Sequence, residues 1–591
     1  MGMPGASPAL PCLRRLLLVA CCGLLAACAR QGPGPTAAPP TEAPPATAAK
    51  GDRFPELVDA VFAASFAYAP SNATSYGMHE YDARLEDLSR PRIEARIREL
   101  ESLISRVHAL DRGALSFDEA IDADALLQAL RAEHYDLSVV RGWEKNPMTY
   151  AGLPGGAVDG LMKRDFAPKA ERLRSVIARL KQVPAVFAAG KANVQSPPRE
   201  FTDLAIRMTK GSVGFFEGSV TQWATDAAGG DAALLAEFQQ ANAQAVAAVK
   251  DFARWLETDL LPRSTGSYAL GEERFLTKLR LEEMIDVPLP QLLARGEANL
   301  EKDYAEFVAT AKRINPKLTP AQVMASLEKD HPTAEDLIPS VRRSVEGVRR
   351  FLVEKDLVTI PSEVRPHVEE TPPYARSGSF ASMDTPGPYE TKATEAFYYV
   401  TPVEPEWTAQ HKEEHLRLYN KPVVDLINIH EVWPGHYLQF LYAPRFPTKV
   451  RKLVSVSSNA EGWAHYAEQM MLDQGYGNGD PKLRLAQLSE ALLRDCRYVT
   501  GIKLHTAGWT VEEGAKLFRE RCFQQPANAY EEARRGAYNP TYLYYTYGKL
   551  EIQQLAREYM AAKGASLKQF HDAFVAQGSL PLPLVRRLLM R

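Results

Sequence analysis

Cysteine is scarce, with six in 591 residues, and three of these (Cys12, Cys21 and Cys22) fall within the first 22 positions. So few cannot form the disulfide framework that supports small secreted folds. An excess of charge of one sign is also missing. Lys+Arg total 70 against Asp+Glu 73, a net charge of −3, so the chain lacks the basic surplus of a nucleic-acid binder and no nucleic-acid partner is expected. The apolar run from Leu16 to Ala27 is too short to span a bilayer as a permanent helix. Strand signals are few and no internal repeat is visible. What remains, 45% hydrophobic and 24% charged residues, is ordinary for a globular protein long enough for more than one core.

The N-terminus differs from the rest. Arg14 and Arg15 precede the apolar run, and Leu25-Ala26-Ala27-Cys28 follows it. This pattern predicts a secretory signal peptide over 1–28. The last four residues resemble the lipobox of bacterial lipoproteins, which implies cleavage before Cys28 and acylation there; the alternative is a plain signal peptide with an incidental Cys28. More than one acyl chain anchors stably. Residues 29–50, rich in Pro, Ala and Thr, read as a disordered linker. The expected location is the bacterial cell envelope, lipid-anchored outside the cytoplasm on the periplasmic face of the outer membrane.

From residue 51 to 591 no further break appears, which predicts one body with two lobes. Helical periodicity dominates. Between Ala232 and Leu261, Leu234, Leu235, Phe238, Ala241, Ala245, Val249, Phe252 and Trp255 form one stripe. Thr319, Thr510 and Ser566 begin capping boxes, and Gly578 is placed to close the helix after Ser566. The best strand is Phe397–Thr401, stopped by Pro402, with a weaker one at Val358–Ile360. The fold expected is mainly α with a small β-sheet. The Phe397 strand is either a core strand or an edge to which a peptide could add.

The sharpest feature is Ile429-His430-Glu431-Val432-Trp433-Pro434-Gly435-His436. In an HExxH helix two imidazoles share a face and the Glu lies beside a zinc ion. Here Pro434 stands where the second His would be, and six residues advance about 600° on a helix, so His430 and His436 would diverge. Pro434-Gly435 must therefore distort the backbone if both rings are to meet one metal. Twenty-five residues past His436, Glu461, His465 and Glu468 share one helix face. A carboxylate on a second helix is the third ligand in one class of zinc peptidase, and His₂Glu leaves a position open for water. The expected metal ligands are His430, His436 and Glu461, with Zn²⁺ as cofactor and Glu431 as general base and acid. His465 either orients a ligand from behind or is a solvated helix residue.

His-Glu-x-x-Pro-Gly-His-x-x-Gln, followed by Glu-Gly-Trp-Ala-x-Tyr-Ala-Glu, resembles a large bacterial family, designated a domain of unknown function, that includes many lipoproteins and is similar to the gluzincin metallopeptidases. Supporting pieces are Tyr268–Glu273, His505–Thr510 and Tyr545-Thr546-Tyr547-Gly548. The resemblance covers most of residues 51–591. It implies a two-lobed, helical, metallopeptidase-like body with the sheet near the active site and the catalytic half at about 351–591. Two departures stand out: Tyr437 replaces a second His, and Asn539-Pro540-Thr541 replaces Pro-Gly-Gln.

An exported peptidase acting on a peptide substrate follows as the expected function, the alternatives being a non-catalytic metal- or solute-binding lipoprotein and an amidase acting on cell-wall peptides. A tetrahedral oxyanion needs a donor beside the metal; His505, Tyr545 and Tyr547 are candidates, with Tyr545 and His505 assigned to catalysis and Tyr547 to substrate binding. Arg494 and Arg497 share a helix face and either hold a substrate carboxylate, the role given to Arg497, or form structural ion pairs. His411 and His415 stand at i and i+4, but Lys412 replaces the base, and a solvated helix face is expected. Cys496 and Cys522 either pair or remain free thiols.

Overall fold

The apolar stripe after Ala232 folds as a helix over Ala232–Trp255, burying Leu234, Phe238, Ala241, Ala245, Val249 and Phe252. This is a computed structural model, and it describes residues 53–371 and 380–591. The signal, the linker and Cys28 lie outside the described residues. Helices account for most of the rest. The three capping boxes form as expected, at Thr319, Thr510 and Ser566, each with reciprocal side-chain and backbone bonds. The helix after Ser566 stops at Val575, short of Gly578, which turns the chain at φ +77° beside the Arg451 carbonyl.

The sheet has three strands: β1 (His367–Glu370), β2 (Ala381–Asp384) and β3 (Phe397–Val400). Its order is β1-β3-β2, with β3 parallel to β1 and antiparallel to β2. Tyr398 and Val400 point into the core while Phe397 and Tyr399 are half-buried, the period-two pattern of a strand with one covered face. A neighbour on each side occupies the backbone groups of β3, so a peptide cannot add to it; it is a core strand. Val358–Ile360 forms no strand. Val358 is buried without a ladder partner, and the Thr359 amide donates instead to Asp572.

Gly51–Arg591 forms one compact unit containing two large buried cores. One gathers Val107, Leu126, Val348, Tyr398, Trp433, Trp463 and Phe574. The other gathers Val176, Phe187, Phe238, Phe307, Leu492 and Phe518. Each recruits residues from both the N-terminal and the C-terminal half of the chain. Cys496 and Cys522 form a disulfide between the helices Pro481–Thr506 and Val511–Cys522. Among the described residues no helix is long and apolar enough to cross a membrane.

Candidate metal centre

Four helices build the site: Lys421–Glu431, His436–Tyr442, Ser457–Asp473 and Tyr544–Lys563. The first ends at Glu431, and the chain does not kink through the Pro-Gly pair but breaks. Val432–Gly435 leaves helical geometry, with a cis Trp433–Pro434 bond, and a new helix starts at His436. Gly435 is needed here for space. A Cβ on it would lie 1.7 Å from the His430 carbonyl oxygen, while its amide donates to the Ile429 carbonyl at 3.0 Å. Pro434 offers its carbonyl to the Trp463 indole at 2.8 Å, which ties the break to the Glu461 helix.

The break brings the two imidazoles to one centre. Their rings are 4.9 Å apart and perpendicular. His430 Nε2 and His436 Nε2 each lie 3.4 Å from the same oxygen, Glu461 Oε2, and the three ligand atoms fall within 4.8 Å of one another. Zinc bonds of 2.0–2.1 Å at tetrahedral angles give ligand–ligand edges of about 3.3 Å. The two carboxylate–imidazole edges match this closely, so the donor set fits a small divalent cation. Tyr437, where a fourth donor would stand, instead packs against Trp433 and donates to the Val364 carbonyl at 3.1 Å.

Behind His430 lies Glu468, which sequence reasoning put on the right face without a role. His430 Nδ1 donates to its Oε1 at 2.7 Å, and His465 Nδ1 to its Oε2 at 3.1 Å; Arg494 lies 3.3 Å from Oε1. Glu468 is therefore the group that orients the ring, and His465 supports Glu468 rather than a ligand directly. A carboxylate two turns beyond Glu461 was the available signal, because ligating imidazoles pass their second N–H to a carboxylate. Burial opposes charge on His430, but Glu461 and Glu468 outweigh it and push its pKa up to about 10. Burial works the other way on Glu461, yet its bonds to His430 and His436 hold it well below the usual carboxylate range. The pair of carboxylates thus demands positive charge between them. A divalent cation meets that demand as a proton does.

Glu431, the last residue of the first helix, is partly exposed and close enough to the buried Tyr398 of β3 to raise its pKa, second to burial itself. On the other side, the Glu461 helix and the Tyr544–Lys563 helix meet backbone to backbone. A Cβ on Gly462 would lie 2.6 Å from the Gly548 Cα. That approach sets Tyr544 close enough to the centre to feel the Glu461 charge. Burial, then Tyr545, push the Tyr544 pKa up to about 12, and Glu461 adds to the rise. Tyr544 also lines a cavity of about 350 Å³ with Ser457, Asn539, Glu282 and Glu283. Ser457 is one helical turn from Glu461, so the cavity adjoins the cluster. Glu283 accepts from the Ser457 and Ser458 amides and caps that helix.

Other expected residues lie elsewhere. His505 follows Arg494 by eleven residues on one helix, about 16 Å along its axis. There it donates to the Gly536 carbonyl at 2.8 Å, stacks on Phe275, and is held near pKa 4 by burial. The structure thus does not bring His505 to the cluster. Tyr547 packs under the Arg295 guanidinium in a separate apolar cluster. Arg497 grips Glu532 through Nε and Nη2 with bonds of 2.7 and 2.8 Å, the structural ion pair. Tyr545 stands under Arg494 and Arg497 beside Tyr544. His411 is exposed and stacks on Trp407, and His415 donates to the Thr401 carbonyl at 2.8 Å, so the pair forms no site.

Residues 70–589 match the family described as bacterial protein of unknown function (DUF885). The chain belongs to this family. A solved structure described as "a putative lipoprotein of unknown function" from Shewanella oneidensis is 27% identical with a TM-score of 0.77, over 92% of this chain and 100% of that one. A second, "the putative lipoprotein from Colwellia psychrerythraea", shares the fold at 17% identity and a TM-score of 0.76, over 91% and 98%. No curated protein matches the chain.

Proposed function

We propose that this DUF885 protein is an exported, lipid-anchored zinc peptidase of gluzincin type. The observation that carries the reading is the pair of 3.4 Å approaches of His430 and His436 to one oxygen of Glu461, across the break between their helices. Glu431, adjacent to a ligand and free of any ion pair among the described residues, favours catalysis over simple metal storage, since a storage site has no use for a base there. The likeness to chains named as putative lipoproteins supports an anchor at Cys28.

When bound, zinc acidifies a water and polarises a carbonyl. The work of the chain's own residues follows from their positions. Glu461 and the two imidazoles would hold the cation, and Glu468 fixes the tautomer of His430 by accepting the hydrogen bond of its Nδ1–H. Glu431 accepts the proton of the attacking water and passes it to the leaving nitrogen. Tyr544, whose hydroxyl accepts from Asn539 at 3.1 Å and keeps its own proton to give, donates to the developing oxyanion. The cavity beside Ser457 receives the substrate chain. Metal analysis should find about one zinc per chain, and the zinc-loaded protein should cut members of a broad peptide pool. Digestion of cell-wall peptides alone points to the amidase alternative; full activity without metal overturns the reading.

A further inference from the structure

Around the first turn of the Tyr544–Lys563 helix the structure has more hydrogen-bond donors than acceptors. Arg494 is paired with Glu468 and Glu490, Arg497 with Glu532, and Arg534 with Glu531. Arg535 is different. Half-buried at the end of the helix Pro526–Tyr538, it has no carboxylate within ion-pair distance among the described residues; the nearby Glu532 is spent on Arg497. Its one polar contact is to the Tyr545 hydroxyl, to which its Nη2 donates at 3.2 Å. The Tyr545 hydroxyl accepts that bond and has no acceptor for its own proton among the described residues. Tyr544 is in the same position, accepting from Asn539 at 3.1 Å. A guanidinium with donors to spare and two adjacent phenols, each with its own proton ungiven, therefore stand side by side. None of the Arg535 nitrogens is a buried group without a partner, so its free N–H groups are open to a ligand, and a carboxylate would meet them with charge-assisted bonds.

We propose that Arg535 and Tyr545 bind a carboxylate of the substrate, on the residue just beyond the scissile bond. This rests on the peptidase reading and names its substrate class. The spacing supports it. Tyr544, beside Glu461, serves the carbonyl under attack, and the Tyr545 ring is 4.9 Å from the Tyr544 ring. An extended chain advances about 3.3–3.6 Å per residue, so an acid at Tyr545 and Arg535 belongs to the next residue. Arg matches a carboxylate with two parallel bonds. The sources of that carboxylate are a free C-terminus, which makes the enzyme one that removes terminal residues, or an acidic side chain at that position.

The test compares three matched peptides on the zinc-loaded protein: one ending in a free acid one residue past the cleaved bond, its C-terminal amide, and an amide with Asp at that residue. The free acid should exceed the plain amide in kcat/KM by about tenfold or more, mainly through KM; equal excess for the Asp amide identifies the side chain as the source. Arg535→Gln should bring the acid-to-amide ratio towards one, and Tyr545→Phe, which keeps the ring under Arg494 and Arg497, should reduce it in part. Zinc content and melting temperature check that each variant folds; if Arg535→Gln does not, Tyr545→Phe and Arg535→Lys carry the test. Equal turnover of acid and amide by the unaltered protein, or a ratio kept by Arg535→Gln, overturns the anchor and leaves the peptidase reading standing. If no peptide is cut, that reading falls, and the anchor is judged by calorimetric binding of N-acetyl-alanine against its amide: preference for the acid that Arg535→Gln abolishes upholds it, and no preference overturns it.

Discussion

Replacing Glu468 by Gln should separate a metal centre from a chance gathering of polar side chains. Glu468 is almost fully buried and stands behind the ligand atoms rather than among them, receiving His430 Nδ1 at 2.7 Å, His465 Nδ1 at 3.1 Å and Arg494 at 3.3 Å. The amide keeps the volume and one oxygen. If that oxygen stays with His430, the NH₂ group faces the Nδ1 proton of His465, two donors against each other among buried side chains. If it turns to His465, His430 loses its orienting partner. Either way the imidazole proposed to ligate through Nε2 becomes a poorer and less fixed base. Loss of such a partner weakens metal binding by about 10–100-fold, or about 1.4–2.8 kcal/mol. The fold should lose less than the 3–5 kcal/mol typical of breaking a buried pair, about 2 kcal/mol, because Arg494 keeps Glu490. Zinc affinity against a competing chelator, read together with the melting temperature of the metal-free protein, measures both. An unchanged affinity in a folded Glu468→Gln protein would refute the idea that His430 is a ligand at all, since no ligand in this geometry could be indifferent to the buried carboxylate that holds its Nδ1.

Three further outcomes follow from the same geometry. Gly435→Ala should abolish stoichiometric zinc binding and destabilise the fold by several kcal/mol, because its Cβ would fall 1.7 Å from the His430 carbonyl oxygen; a variant that binds zinc normally would mean the break tolerates rearrangement. Glu431→Gln should retain zinc and lose turnover by about 100-fold or more, a split read by metal analysis beside a peptide assay. Reduction of the Cys496–Cys522 disulfide, which closes a loop of 26 residues, should lower unfolding free energy by about 3.5 kcal/mol in the chain-entropy account, seen as a shift in denaturant midpoint.

Local rules were readable in the sequence and long-range ones were not. The helix after Ala232 and the capping boxes at Thr319, Thr510 and Ser566 depend on residues three or four apart, so the pattern carries them. β3 shows in its aromatic and β-branched run. Its partners do not: His367–Glu370 and Ala381–Asp384 are short, and each becomes a strand only because β3 lies beside it. Val358–Ile360 fails for the converse reason. Its composition suits a strand, but the neighbour it meets is Asp572, whose carboxylate takes the amide that a ladder would need.

The same division runs through the site. His430, His436 and Glu461 could be grouped from spacing because zinc chemistry restricts which residues are worth grouping, and the Pro-Gly pair marked where the backbone had to yield. No such restriction governs the donors at Arg535. Arg494 and Arg497 look better placed in the sequence, three residues apart on one helix face, and either one reads as a carboxylate clamp. What decides between the three arginines is the supply of acids around them, Glu468, Glu490 and Glu532, and these arrive from three different segments of chain. The role proposed for Arg535 comes from its being left over once the structural pairs are made. That is a property of the folded arrangement as a whole, set by which carboxylates run out, and it becomes visible only when every other charge in the neighbourhood has been assigned its partner.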